Sequence, residues 1–133
     1  MRTNKRVTAI VIKDDKILLV HRRKMGKEYW VVVGGGAEEG ETMDQALERE
    51  VMEETGLKPV GYKFLGESKG EYDDDIVFYS CELEDGELIL GGPENERNTE
   101  DNWYHVEWFP IKNLNKISLY PASARNFLKK KSE

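Results

Sequence analysis

The chain has 133 residues, 35% charged and 38% hydrophobic, with a formal net charge of −6 and a single cysteine. That length fits one domain, expected over residues 1–133, with a core that needs no covalent staples; one thiol excludes an intramolecular disulfide framework and suits a reducing, cytoplasmic setting. The acidic balance argues against a nonspecific binder of nucleic acid polymers, and the apolar runs are too short for a membrane span or a signal peptide.

Residues 5–12, KRVTAIVI, are rich in β-branched side chains and predict a strand. The KDD that follows predicts a turn, and residues 16–21, KILLVH, its hairpin partner. A basic patch comes next, with Arg22, Arg23, Lys24 and Lys27, and residues 29–33, YWVVV, predict a third strand ending at Gly34. Thr42 and Gln45 fit a capping box, Met43, Ala46, Leu47 and Val51 form a stripe at helical spacing, and Gly56 suits a left-handed C-cap. Together they predict a helix over residues 42–55. Residues 60–69 and 76–84 predict two strands, and Cys81 in the second predicts a buried, inert thiol. Residues 91–102, GGPENERNTEDN, read as a loop. Residues 103–109, WYHVEWF, predict a strand with Tyr104, Val106 and Trp108 on its core side, stopped by Pro110. Residues 121–131 predict a C-terminal helix with Pro121 near its start and lysines in its last turn. The result is a mixed α/β domain without linker, repeat or low-complexity tract.

The charge is concentrated in residues 34–57, GGGAEEGETMDQALEREVMEETGL, which hold eight carboxylates and one cation, Arg49. The rest of the chain is therefore close to neutral. Glu50, Glu53 and Glu54 stand at i, i+3 and i+4, on one face of the predicted helix. Like charges at that spacing repel by a few tenths of a kcal/mol per pair. A hard divalent cation, which wants oxygen ligands, would reverse that penalty and leave positions for substrate phosphates. The alternative is a plain solvated acidic face. Against it stand the unbalanced charge and the preceding glycines, read as a turn that allows close approach of a ligand to the backbone. The glycine run lacks both the G-x-G-x-x-G order of a dinucleotide turn and the Gly-Lys-Ser/Thr ending of a P-loop.

Gly35, Glu41 and REVMEETGL (residues 49–57) match G-x5-E-x7-R-E-U-x-E-E-x-G-U, with U a bulky apolar residue, at every fixed position. This stretch resembles the Nudix box, and the N-terminal hairpin, the Trp30 strand and WFPIKNL near the end extend the resemblance over nearly the whole chain. Val33 departs from the family's usual proline. The resemblance implies a Nudix-type α/β/α sandwich with a mixed β-sheet, and a metal-dependent hydrolase of nucleoside diphosphates linked to another moiety. It implies Gly34, through its carbonyl, and Glu50, Glu53 and Glu54 as ligands of Mg²⁺ or Mn²⁺. Glu41 and Arg49 would brace those carboxylates, and Glu53 or Glu50 would take the proton from the attacking water.

The expected substrate is a nucleoside triphosphate, oxidised or not, giving a monophosphate and pyrophosphate. The alternatives are ADP-ribose or another sugar nucleotide, or a Nudix-shaped module that binds a nucleotide without catalysis. Arg22 and Arg23 are candidates to hold the distal phosphate. Glu94, Glu96, Glu100 or Asp101 would supply a last ligand or the base, and Tyr72, Trp103 or Tyr104 would stack on a base. Each has a structural alternative, as a hydrated edge, a solvated turn or a core aromatic. His21 and His105 share no spacing with the carboxylates and are read as incidental. The expected partner is a small nucleotide, without nucleic acid polymer or membrane; a homodimer is left open.

Overall fold

A computed structural model of the chain describes residues 2–70, 74–89 and 102–132. Glu94, Glu96, Glu100, Asp101 and Tyr72 lie outside these residues.

Nine strands among the described residues form two sheets. The first has the order β5-β1-β7-β6, from β1 (Arg2–Ile10), β5 (Gly34–Glu38), β6 (Pro59–Lys69) and β7 (Asp75–Leu83). It is mixed: β1 runs antiparallel to β5 and parallel to β7, and β6 runs antiparallel to β7. The second sheet joins β2 (Ile12–Lys13), β3 (Lys16–Lys24), β4 (Lys27–Val32) and β9 (Leu119–Tyr120), with β8 (Asn102–Pro110) along the other side of β3. Helix α1 spans Met43–Thr55, a 3₁₀ helix spans Ile111–Lys116, and helix α2 spans Ala124–Ser132.

Alternation along β1 and β3 feeds two cores. Val7, Ala9, Leu18 and Val20 pack with Leu47 and Val51 of α1, while Ile10, Leu19, Val32 and Phe78 pack with Phe127 and Leu128 of α2. These strands therefore bury both faces, which is why their sequences read as near-continuous apolar runs. The mixed sheet is held between helices, as expected of an α/β sandwich.

Three expectations change. Residues 5–12 are not one strand with a hairpin partner. The chain leaves the first sheet at Ile10, and only Ile12 and Lys13 pair with β3, opposite Ile17 and Lys16. Val11 makes the crossing, and its carbonyl accepts from Leu18 N at 2.9 Å. The glycines after Val33 form strand β5 rather than a turn, paired to β1 through Gly34, Gly35 and Gly36. The last helix begins at Ala124, because Pro121 ends the short strand β9 and opens the turn ahead of the helix. The Tyr104–Val106–Trp108 face is core-facing as read, and Cys81 is buried.

Candidate active site

Helix α1 starts where its capping box places it. Thr42 Oγ1 accepts from Gln45 N at 3.1 Å, and Gln45 Oε1 accepts from Thr42 N at 3.0 Å. It ends at Gly56, φ 75°, whose N–H reaches Met52 O at 2.9 Å. Its buried face carries Ala46, Leu47 and Val51, but also Glu50 and Glu54. The apolar stripe thus presses two carboxylates against β5.

Glycine makes that contact feasible. A side chain at Gly35 would lie 2.5 Å from Glu50 Cδ, so the Glu50 carboxylate occupies the space a Cβ would need. At Gly34, φ 152°, a Cβ would run into the Val7 carbonyl oxygen of the neighbouring strand. The close approach foreseen for a ligand is made here by the protein itself. Glu54 Oε1 accepts from Gly34 N at 2.7 Å, so a buried charge receives a backbone donor. Val33, where the Nudix pattern has proline, is fully buried, and its carbonyl accepts from Ala9 N at 2.7 Å.

Arg49 organises the acids. Its Nε donates to Glu41 Oε2 at 2.7 Å and its Nη2 to Glu41 Oε1 at 2.9 Å, a bidentate pair. Its Nη1 donates to Glu50 Oε1 at 2.7 Å, and Nη2 also reaches the Gly36 carbonyl at 3.0 Å. Only a 3.5 Å contact reaches Glu53. The hydrogen bonds that it donates, to Glu41 chiefly and also to Glu50, hold the guanidinium's pKa above its ordinary value against the opposing pull of burial. Glu41 is itself fixed: its Oε1 accepts from Glu38 N at 2.8 Å, and its N–H donates to Glu38 O.

The four acids differ in access. The side chains of Glu50 and Glu41 are 5% and 14% exposed, while Glu53 is 39% exposed. As the side chains stand, no three carboxylate, imidazole or thiol groups among the described residues converge closely enough to hold a metal ion. Glu50 leans on Arg49 and Glu54 on Gly34.

Arg22 and Arg23 part company. They are neighbours on β3 and so face opposite sides of its sheet. The Arg22 guanidinium lies over the Tyr104 ring, 4.2 Å from its centroid, and Nη2 donates to Tyr104 Oη at 2.6 Å. The two residues read separately as substrate contacts thus meet, and Arg22 lines a wide cleft. Arg23 stands on the other face, over Trp103 at 4.7 Å and near Glu28. There His21 stacks on Trp30, with its Nε2 2.7 Å from Glu28 Oε2. That hydrogen bond, chiefly, holds the Glu28 carboxyl below its usual range. The histidines stand apart from the acids of α1. Arg6 and Arg125 line the same cleft as Arg22 and went unmarked in the sequence. Arg6 has a weak signal, a cation in the same alternating set as Thr8 and Ile10.

A family model described as NUDIX domain matches residues 3–130. Among curated proteins, the NAD-capped RNA hydrolase NudC of Escherichia coli is 28% identical over 106 residues, or 79% of this chain and 40% of that protein. The chain thus spans well under half the length of the curated relatives it matches. Among solved structures, a NUDIX hydrolase from Nitrosomonas europaea aligns with TM-score 0.70 at 21% identity, over 98% of this chain and 89% of the other. The NUDIX domain of Shewanella oneidensis NrtR, in complex with ADP ribose, aligns with TM-score 0.71 at 18% identity, over 96% and 86%. At those identities the structures speak for the fold alone.

Proposed function

The chain belongs to the NUDIX family, and from that premise we propose that it hydrolyses a phosphoanhydride bond in a nucleoside diphosphate linked to a second moiety. The observation that supports this most is the arrangement around Arg49: one guanidinium joins Glu41, Glu50 and the Gly36 carbonyl of the glycine strand.

The donor set fits a hard divalent cation in kind and in charge. Glu41, Glu50, Glu53 and Glu54 offer only oxygen, and Arg49 donates to Glu41 and Glu50 among them. Negative charge in excess and out of water is costly unless it is compensated. Glu50, Glu53 and Glu54, with the Gly34 carbonyl, would hold Mg²⁺ or Mn²⁺. The bound ion would neutralise diphosphate oxygens and the charge developing on the leaving group.

The remaining steps belong to the chain's own residues. Water attacks one phosphorus of the diphosphate, the bond from that phosphorus to the bridging oxygen breaks, and the bridging oxygen leaves with the other phosphate. Glu53 takes the proton from the water. It is the most exposed of the three helix acids and meets Arg49 only at 3.5 Å, whereas Glu50 and Glu54 are buried behind short hydrogen bonds. Arg49 and Glu41 hold Glu50 in place and touch no reacting atom.

For the substrate, a nucleoside diphosphate joined to a sugar or a second nucleotide is favoured over a nucleoside triphosphate. One curated relative is described as acting on NAD-capped RNA, and one structural neighbour was solved with ADP ribose. A binding module without catalysis is the lesser reading, since it would have no need of the full set of acids.

The test is a panel of sugar nucleotides, dinucleotides and nucleoside triphosphates with Mg²⁺, scored by phosphate released after phosphatase treatment. Glu53→Gln is expected to lower kcat by about 100-fold or more, the scale of a lost general base, with the circular dichroism spectrum unchanged. Turnover at the wild-type rate in that variant would remove Glu53 from the reaction.

A further inference from the structure

A cleft of about 1200 Å³ opens where the start of β1 meets the ends of β3, β4 and β9. That is at the upper end of, or beyond, the roughly 300–1,000 Å³ of ordinary small-molecule pockets. Its charge is opposite to that of the chain. Arg6, Arg22, Lys24, Lys27 and Arg125 line it, with Asp74 the only acid among the described residues of its wall. Five cations around one concavity, in a chain of net charge −6, raise the local concentration of anions.

Two of these cations are pre-set as plates. Arg6 lies over the Tyr120 ring at 5.5 Å, and Arg22 lies over Tyr104 with Tyr29 at 5.5 Å. A guanidinium stacked on a ring keeps its in-plane fork of donors for a phosphate or carboxylate. Each fork keeps an unsatisfied donor: Arg6 Nε and Arg22 Nε are buried without an acceptor, although Arg22 gives Nη2 to Tyr104 and Arg6 faces Asp74 as an ion pair at 3.8 Å, too long for a hydrogen bond. Lys24 and Lys27 flank the β3–β4 turn at Met25 and Gly26, exposed at the cleft mouth, and neither forms an ion pair among the described residues. Arg125 is committed, since its Nη2 donates to the Leu114 and Ile117 carbonyls.

The cleft adjoins the acidic site without including it. Arg6 pairs across the sheet with Gly36, and Gly36 gives its carbonyl to Arg49. One strand therefore separates the cationic wall from the carboxylates of α1.

We infer that this cleft receives the part of the substrate beyond the cleaved diphosphate, and that this part carries its own phosphate: the substrate class is a nucleoside diphosphate joined to a phosphorylated sugar or nucleoside. A neutral sugar would leave Arg22, Lys24 and Lys27 without an anion among the described residues, and Arg6 with only its long 3.8 Å approach to Asp74. The inference rests on the hydrolase reading for the word substrate, but not for binding.

The experiment compares ADP-ribose with ADP-ribose 1″-phosphate, which differ by one phosphate on the far ribose. Wild-type kcat/KM with Mg²⁺ is expected to be about tenfold or more higher for the phosphorylated compound, the scale of one added charge-assisted contact. Calorimetric binding to Glu53→Gln is expected to show the same preference without turnover. In Lys24→Gln/Lys27→Gln, whose changes sit on an exposed hairpin tip, both preferences are expected to fall toward unity. Equal use of the two compounds by wild type would overturn the cleft assignment and leave the hydrolase reading standing. A binding preference that vanishes in the lysine variant, with no hydrolysis of either compound, would support the cleft and remove the hydrolase reading. A preference that survives in the lysine variant, or no binding of the phosphorylated compound, would overturn the cleft assignment.

Discussion

Arg49 is the residue whose loss reaches furthest. Truncation leaves Glu41 and Glu50, 14% and 5% exposed, without the guanidinium that bridges them. Breaking such a pair from one side costs about 3–5 kcal/mol. Arg49→Ala is therefore expected to lower the denaturation midpoint as well as activity, and Arg49→Lys to recover little, since a single ammonium cannot reach Glu41, Glu50 and the Gly36 carbonyl together. Equilibrium unfolding of the two variants checks this, and wild-type midpoints would show the bridge contributes nothing. Glu53 and Glu54, equivalent in the motif, separate here. Glu54→Ala strands the Gly34 N–H away from water and should cost about 1–3 kcal/mol. Glu53→Ala removes a half-exposed acid and should leave the midpoint within about 0.5 kcal/mol of wild type. The identity of the acids was legible from spacing alone. Their burial was not, because it depends on how closely α1 rides on the glycine strand.

At the scale of elements, α1 is specified locally at both ends, and the structure follows it to within a residue. Thr42→Ala is expected to cost about 1 kcal/mol, the usual worth of an N-cap, read as a shifted denaturant midpoint with an unchanged slope. Strand β5 is specified from outside. Three glycines have poor strand propensity, and they read as a turn until β1 is laid beside them. Gly34 tests this. With φ 152° and the Val7 carbonyl in the way of a Cβ, Gly34→Ala should lose on the order of 1–3 kcal/mol or more. A stable Gly34→Ala variant would mean the β1–β5 ladder tolerates widening. The split of residues 5–12 between two sheets was hidden for a related reason. An apolar run shows that both faces are buried, but not against which sheet.

Over the whole molecule, the charge is sorted. The acids gather on α1 and β5, and cations line the cleft beyond β1, so a net charge of −6 describes neither region. The single thiol reports on the integrity of the core. Burial, with a smaller contribution from the Glu82 charge, pushes the Cys81 pKa up from an ordinary 9.0 to about 11. The folded pKa lies above the unfolded one, so this contribution to stability is complete below pH 9. It is lost as pH rises towards 11, because the unfolded thiol ionises first. Stability should fall over that window, and less steeply in Cys81→Ala. An aromatic disulfide reagent at pH 8 should modify Cys81 slowly when folded and at once in denaturant, and fast labelling of the folded protein would contradict the burial.

The sequence by itself determined the family, the helix with its caps, and the set of acids in register along it, because capping, helical periodicity and motif spacing are local and survive without knowledge of what lies opposite. Only the tertiary structure decided which acids are buried, that Gly34 and Gly35 clear space for the protein's own atoms, that Arg22 and Arg23 point to different faces, and that Arg6, Arg22 and Arg125 share one cleft. Those facts depend on which strands lie side by side, and residues 6, 22 and 125 come together only when two sheets and a C-terminal helix close around the same space.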